Sequence, residues 1–133
     1  MKLNIAIITI SGAVLAACSL VGPSGNPSVP QPVKLVEIDR YLGHWFELAR
    51  YENQFERDCE AVAADYSLRK DGMVRVLNTC LEGGITGKRK ESEGRAKTVP
   101  GSGNAKLKVS FFGPFYGDYW ILDHAADYSW SIV

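Results

Sequence analysis

The chain has 133 residues, of which 46% are hydrophobic and 23% charged, enough for one small globular domain and too few for two with separate cores. Lys+Arg and Asp+Glu balance at 15 each, which excludes the basic field that holds nucleic acid and the acidic field that gathers cations. The three cysteines are an odd number, which in an exported protein points to one disulfide plus a cysteine of separate fate.

Lys2 opens the chain, a mostly apolar run from Leu3 through Ile10 and Val14 follows, and small residues precede Cys18. That order predicts a signal peptide over 1–17, since the run is short of the ~20 residues a membrane-spanning helix needs. Leu15-Ala16-Ala17-Cys18 resembles the lipobox of bacterial lipoproteins, which implies cleavage before Cys18, its lipidation, and anchorage to a membrane. Ser19 replaces the Asp that retains such lipoproteins in the inner membrane. The resemblance therefore implies the outer membrane, with the domain at its periplasmic face. Pro23, Pro27, Pro30 and Pro32 lie in a Gly- and Ser-containing stretch. Residues 18–35 are read as a tether, the alternative being an arm ordered along the domain.

Residues 36–42 suit a helical turn ahead of Gly43, and from there apolar and polar residues alternate between turn signals. Seven strands are expected, at about 45–51, 61–68, 73–80, 89–99, 105–112, 118–123 and 128–133. Asp71-Gly72 supplies a tight hairpin turn between the second and third. Val62, Ala64, Tyr66 and Leu68 share one face of the second strand, Val74, Val76 and Asn78 one face of the third, and Leu107, Val109 and Phe111 one face of the fifth. In the fourth, Ser92, Gly94, Ala96 and Thr98 oppose Glu93, Arg95 and Lys97. This inner face is small, so Ala64, Gly94, Ala96 and Ala105 leave room for a ligand among Tyr66, Val76, Leu107, Val109 and Phe111, unless the small residues mark a tight corner instead.

Gly43-His44-Trp45, continued as Phe46-Glu47-Leu48-Ala49-Arg50-Tyr51, resembles the Gly-x-Trp signature of the lipocalins. Phe55-Glu56-Arg57, Tyr66-Ser67-Leu68, Glu93-Gly94 and the run from Lys108 to Tyr119 resemble the bacterial outer-membrane members of that family. Asp127-Tyr128-Ser129-Trp130 resembles its second signature, at the turn between the sixth and seventh strands. The resemblance covers 36–133 and implies an all-β, antiparallel up-and-down barrel in which Gly43, Trp45, Asp127 and Tyr128 are structural. It also implies a lipid or other small hydrophobic ligand. The third signature, an Arg in an eighth strand, is absent, as are that strand and the outer helix that covers Phe46 and Leu48. Because the sequence stops inside an apolar run at Ile132-Val133, the expectation is a truncated barrel with seven of eight strands.

Cys59 and Cys80 fall near facing ends of the hairpin strands, where an oxidising compartment favours a disulfide. The alternative is a cysteine nucleophile on the same barrel, although no His or carboxylate is placed beside either in an evident dyad. His44 and His124 have no metal-ligand spacing with a partner, and no phosphate-binding loop is evident. No metal, cofactor or catalytic residue is assigned. Phe111, Phe112, Phe115, Tyr116 and Tyr119 form an aromatic group around Gly113-Pro114, in which alternation sends Phe111 inward and the others serve either as a plug or as ligand contact; Arg75, Arg95 or Lys97 is the expected neighbour of a ligand's polar head. The function expected is binding of fatty acids, lysophospholipids or similar amphiphiles. A cysteine enzyme and a structural envelope protein with a filled core are the other readings.

Overall fold

The computed structural model describes residues 28–54 and 56–133. The signal segment 1–17, the Leu15-Ala16-Ala17-Cys18 box, Ser19, the tether through Asn26 and Pro27, and Phe55 lie outside the described residues. A turn of helix, α1 (Ile38–Tyr41), leads into β1 (Gly43–Phe46), β2 (Cys59–Leu68), β3 (Val74–Glu82), β4 (Lys88–Thr98), β5 (Lys106–Phe112) and β6 (Phe115–Trp120). These six strands pair in chain order as one antiparallel up-and-down sheet, and β7 (Asp123–His124) with β8 (Ser131–Ile132) forms a separate hairpin.

The strand faces follow the alternation in the sequence. Tyr66 pairs with Val76 and Val76 with Gly94 on one row, and Leu68, Val74, Ala96 and Val109 pair successively on the next. Both rows face inward. Asp71-Gly72 does make the β2–β3 turn, but only Gly72 takes a positive φ, of 80°. Asp71 instead accepts the Met73 amide at 3.0 Å, while the Gly72 amide donates to the Arg69 carbonyl at 3.1 Å. A side-chain acceptor thus does what a second left-handed residue would have done. Between β5 and β6 the pairing of Phe112 with Phe115 leaves only Gly113 and Pro114 to turn the chain, with Gly113 at φ 53°.

Three boundaries differ from the periodicity. β1 stops at Phe46 rather than near 51 because its partner bulges: Ala61, at φ 47°, and Val62 together oppose Cys80, and the pairing shifts between Glu60 and Ala63. β6 begins at Phe115 rather than 118, because the two-residue turn leaves nothing to delay it. The expected seventh strand at 128–133 does not extend the sheet. Ile121 still donates to the Ala105 carbonyl at 2.8 Å, but Leu122 donates to Ile132 at 2.7 Å and accepts from Val33 at 3.0 Å. The chain changes partners at Leu122, and within 128–133 the strand is confined to Ser131–Ile132, which pairs with Asp123–His124.

The sheet is strongly curled. The hydroxyls of Tyr66 on β2 and Tyr119 on β6 are 3.0 Å apart, whereas strands four places apart in a flat sheet stand about 19 Å from one another. The concave side carries the core: Val74, Val76, Ala96, Ala105, Leu107 and Ile121 are buried together with Val36 and Tyr41.

The second signature holds α1 in place. Tyr128 adopts φ 61°, stacks on His124 with ring centroids 4.4 Å apart, and accepts the Glu37 amide on its hydroxyl at 2.8 Å. Arg40 lies over the other side of that ring system, 4.6 Å from the Tyr128 centroid, and donates to the Ala126 carbonyl. Asp127 fixes the turn by accepting both the amide and the hydroxyl of Ser129, and these bonds hold its carboxyl below the usual range.

The last part of the Pro-containing segment is an ordered arm. Val36 donates to Gly103, Lys34 forms an ion pair with Asp123 at 2.7 Å, and Lys106 donates to Gln31 at 2.7 Å.

A candidate ligand cavity

Between α1 and the concave face lies an apolar cavity of about 60 Å³. Ile38 and Tyr41 of α1, with Leu42 after it, form one wall. The sheet supplies Tyr66 from β2, Val74, Val76 and Asn78 from β3, Ala96 from β4, Leu107, Val109 and Phe111 from β5, and Tyr119 from β6. Six of the nine cavity residues picked out by alternation are therefore brought together: Tyr66, Val76, Ala96, Leu107, Val109 and Phe111.

Ala64 and Gly94 are not among them. Ala64 stands opposite Trp45 across the β1–β2 pair. A Cβ added to Gly94 would lie 2.8 Å from Cδ1 of the Phe111 ring and 2.7 Å from the Ser110 carbonyl oxygen. The volume that Gly94 releases is thus filled by an aromatic ring rather than left open. Ala105 is fully buried in the packed core and does not line the cavity either. Of the four small residues, only Ala96 opens space for a ligand. Alternation identifies a face, but it does not say which neighbouring side chain leans over a small residue.

The α1 wall, Val74, Asn78 and Tyr119 complete the site. Val74 and Asn78 share the parity of Val76, and Tyr119 sits in the aromatic group already noted. Tyr41 had no signal beyond its place in a helical turn before Gly43. Gly43, at φ 110°, makes the corner that swings α1 across the sheet. Trp45 then stacks on Tyr41 at 4.8 Å and donates its indole N–H to the Tyr41 carbonyl at 2.8 Å. The tryptophan thus positions one wall.

The polar content of this wall is a chain of hydroxyls. Tyr66 contacts Tyr119 at 3.0 Å, Tyr119 contacts Tyr41 at 3.0 Å, and Tyr41 contacts Ser131 Oγ at 3.1 Å. Burial raises all three phenols above their ordinary value, with Tyr66 pushed up to about 12 and Tyr119 raised further by burial and by the other two rings. They are neutral donors and acceptors at any physiological pH.

The expected head-group cations face the other way. Arg75 pairs with Glu93 at 2.7 Å, Arg95 donates to the Tyr116 hydroxyl and the Gly113 carbonyl, and Lys97 lies 4.6 Å from the Tyr116 ring centroid. Alternation places all three on the convex surface, because their neighbours Val76, Gly94 and Ala96 are inward. The aromatic group also divides. Phe111 and Tyr119 line the cavity, Phe112 and Phe115 are 73% and 78% exposed, and Tyr116 belongs to the outer cluster with Arg95 and Lys97. Neither plug nor ligand contact describes those last three.

Cys59 and Cys80 are joined in a disulfide, with Cα atoms 5.3 Å apart. Neither is a free thiol, which leaves the cysteine-nucleophile alternative without its reactive group. Phe46 and Leu48 are 73% and 95% exposed. His44 contacts Asp65 at 2.8 Å, and the ring nitrogens of His124 lie 2.8 Å from the Ala125 carbonyl and 3.0 Å from that of Leu35. Among the described residues no three His, Cys, Asp or Glu side chains come together as metal ligands would.

A curled up-and-down sheet, a Gly-x-Trp entry and a concave apolar cavity describe one family. The match to the lipocalin-like domain spans residues 36–133. This chain belongs to the lipocalin-like family. The lipocalin is 42% identical over 121 residues to the outer membrane lipoprotein Blc of Vibrio cholerae, a match covering 90% of this chain and 70% of that protein. It is 40% identical over 124 residues to the outer membrane lipoprotein Blc of Escherichia coli K12, covering 91% and 70%. Similarity extends to the apolipoprotein D of Rattus norvegicus, at 37% identity over 99 residues, 73% of this lipocalin and 50% of that protein.

Proposed function

We propose that this lipocalin is a lipid-binding lipoprotein of the bacterial outer membrane, anchored through Cys18 at the periplasmic face, that takes up fatty acids, lysophospholipids or similar amphiphiles for storage or transport. The observation that carries the proposal is the apolar cavity under α1, whose twelve lining residues include only three phenols and one amide as polar side chains. Binding is by burial rather than by chemistry, at about 0.8 kcal/mol for each methylene removed from water, before ordering costs. The cavity's 60 Å³ is smaller than the ~150 Å³ apolar cavity that holds a benzene ring. A long tail therefore occupies it only in part unless Phe111 or Tyr119 swings aside. The outer-membrane location is supported by the relatives named as outer membrane lipoproteins and by the Cys18 box.

Two measurements test the proposal. Extraction of the purified protein with organic solvent, followed by mass spectrometry, is expected to release acyl lipids in stoichiometric amount; their absence, together with failure to bind added fatty acid, refutes ligand binding. Labelling with radioactive palmitate is expected to disappear in Cys18→Ser, and unchanged labelling refutes the anchor.

A further inference from the structure

We propose that Tyr66 and Asn78 form a polar subsite inside the cavity that takes an uncharged hydrogen-bonding group, an ester or amide carbonyl or a hydroxyl, of an otherwise apolar ligand. This rests on reading the cavity as the ligand site. The first observation is a count of protons. Tyr66, Tyr119, Tyr41 and Ser131 contribute four hydroxyl protons to three O···O contacts. Each contact uses one proton, so one O–H is left over. The two ends of the chain are Tyr66 and Ser131, and of these only Tyr66 lines the cavity. When the chain runs from Ser131 toward Tyr66, the spare proton is presented by Tyr66 to an acceptor in the cavity. When any of the other three hydroxyls carries the spare proton, Tyr66 donates to Tyr119 and its own oxygen is free to accept from a ligand hydroxyl.

The second observation is Asn78. It stands on the dry face of β3, two residues from Val76, where alternation and the neighbouring valines would suit an apolar side chain. No hydrogen bond joins its amide to another side chain or to the backbone among the described residues, and the amide is not sealed from solvent. Tyr66 pairs with Val76, so Asn78 is its diagonal neighbour on the same face, a spacing long polar side chains reach across. An amide and a phenol at that spacing offer a donor and an acceptor to one ligand group. The third observation is charge. None of the residues lining the cavity is ionised, so a carboxylate or phosphate placed there loses its hydration without gaining a cation, whereas a neutral carbonyl does not incur that cost.

The test is competition for a bound fluorescent apolar dye by methyl decanoate and by n-undecane, which match in carbon number and differ in the ester group, on the full chain and on Tyr66→Phe and Asn78→Leu. Both substitutions keep side-chain shape, and thermal melts report whether each variant folds. The ester-to-alkane affinity ratio is expected to fall about tenfold in Tyr66→Phe, the loss of one neutral hydrogen bond, with n-undecane binding unchanged; Asn78→Leu is expected to lower the same ratio. A ratio unaltered in both variants overturns the subsite while leaving the cavity reading intact. Failure of the unaltered chain to bind either probe overturns the cavity reading, and the subsite with it.

Discussion

The ring of Phe111 on β5 lies against the backbone of Gly94 on β4, its Cδ1 and Cε1 atoms 2.8 and 2.9 Å from the position a Cβ would take. Glycine at this site is a packing requirement. Gly94→Ala is expected to destabilise the fold by about 1 to 3 kcal/mol, the usual cost of overpacking, and to lower the melting temperature by several degrees. Gly117 on β6 serves as the control, since a Cβ there meets nothing within 4 Å. Gly117→Ala is expected to change stability by no more than about 0.5 kcal/mol. Equal effects at the two sites, read by thermal denaturation, would refute the packing role of Phe111.

Ala96 is the one small inward residue that opens onto the cavity, and it is 3% exposed. Ala96→Val is expected to weaken binding of a fluorescent fatty acid while the melting temperature moves little, because the two added methyl groups fit within the 60 Å³ void a ligand would use. In a packed interior the same substitution would cost about 1 to 3 kcal/mol and the unaltered protein would bind no probe. Fluorescence titration and a melt on the one variant separate the two.

The Cys59–Cys80 disulfide closes a loop with a sequence separation of 21 residues. In the chain-entropy account a loop of this size contributes about 3 kcal/mol by restricting the unfolded chain. The double replacement of both cysteines by alanine is expected to lower stability by that order and to leave the β2–β3 pairing intact. Alkylation of the denatured, unreduced protein should modify neither Cys59 nor Cys80; modification of either would remove the basis for this prediction.

Stability is expected to decline at both ends of the pH range, for opposite reasons. Asp71, Asp123 and Asp127 are held below the ordinary carboxylate range, chiefly by Arg69, Lys34 and Ser129 respectively. A depressed carboxyl stabilises the folded state above its unfolded value, and that contribution is lost as pH falls below about 4. The buried phenols act in the other direction. Tyr41, Tyr66 and Tyr119 are raised by burial, so from about pH 10 upward the unfolded chain releases protons that the folded one retains, and stability falls. For Tyr66 the loss runs on to about 12. A spectrophotometric titration should show these three of the six tyrosines ionising above the ordinary phenol range. Tyr66→Phe should flatten the alkaline limb of the melting curve. Ordinary titration of all six in the folded protein would refute the buried hydroxyl chain.

Much of this architecture was legible in the residue pattern. Period-two alternation gave the faces of β2, β3, β4 and β5, because successive side chains on a strand must point to opposite sides. Gly43, Gly72 and Gly113 stand at turns where a positive φ is needed. Cys59 and Cys80 could be paired because the Asp71-Gly72 turn sets their strands side by side. Six cavity residues followed from parity alone. What alternation does not carry is depth above the sheet and curvature across it. That Phe111 fills the space over Gly94, that Tyr66 meets Tyr119 from four strands away, and that Tyr41 reaches both from a single helical turn depend on how far the sheet curls. The change of partner at Leu122 is equally invisible to a local pattern, since its carbonyl accepts from Val33 and its amide donates to Ile132, at opposite ends of the described chain. Local sequence decides which way each side chain points. Only long-range packing decides what it meets there, because those contacts join residues separated by fifty to ninety positions.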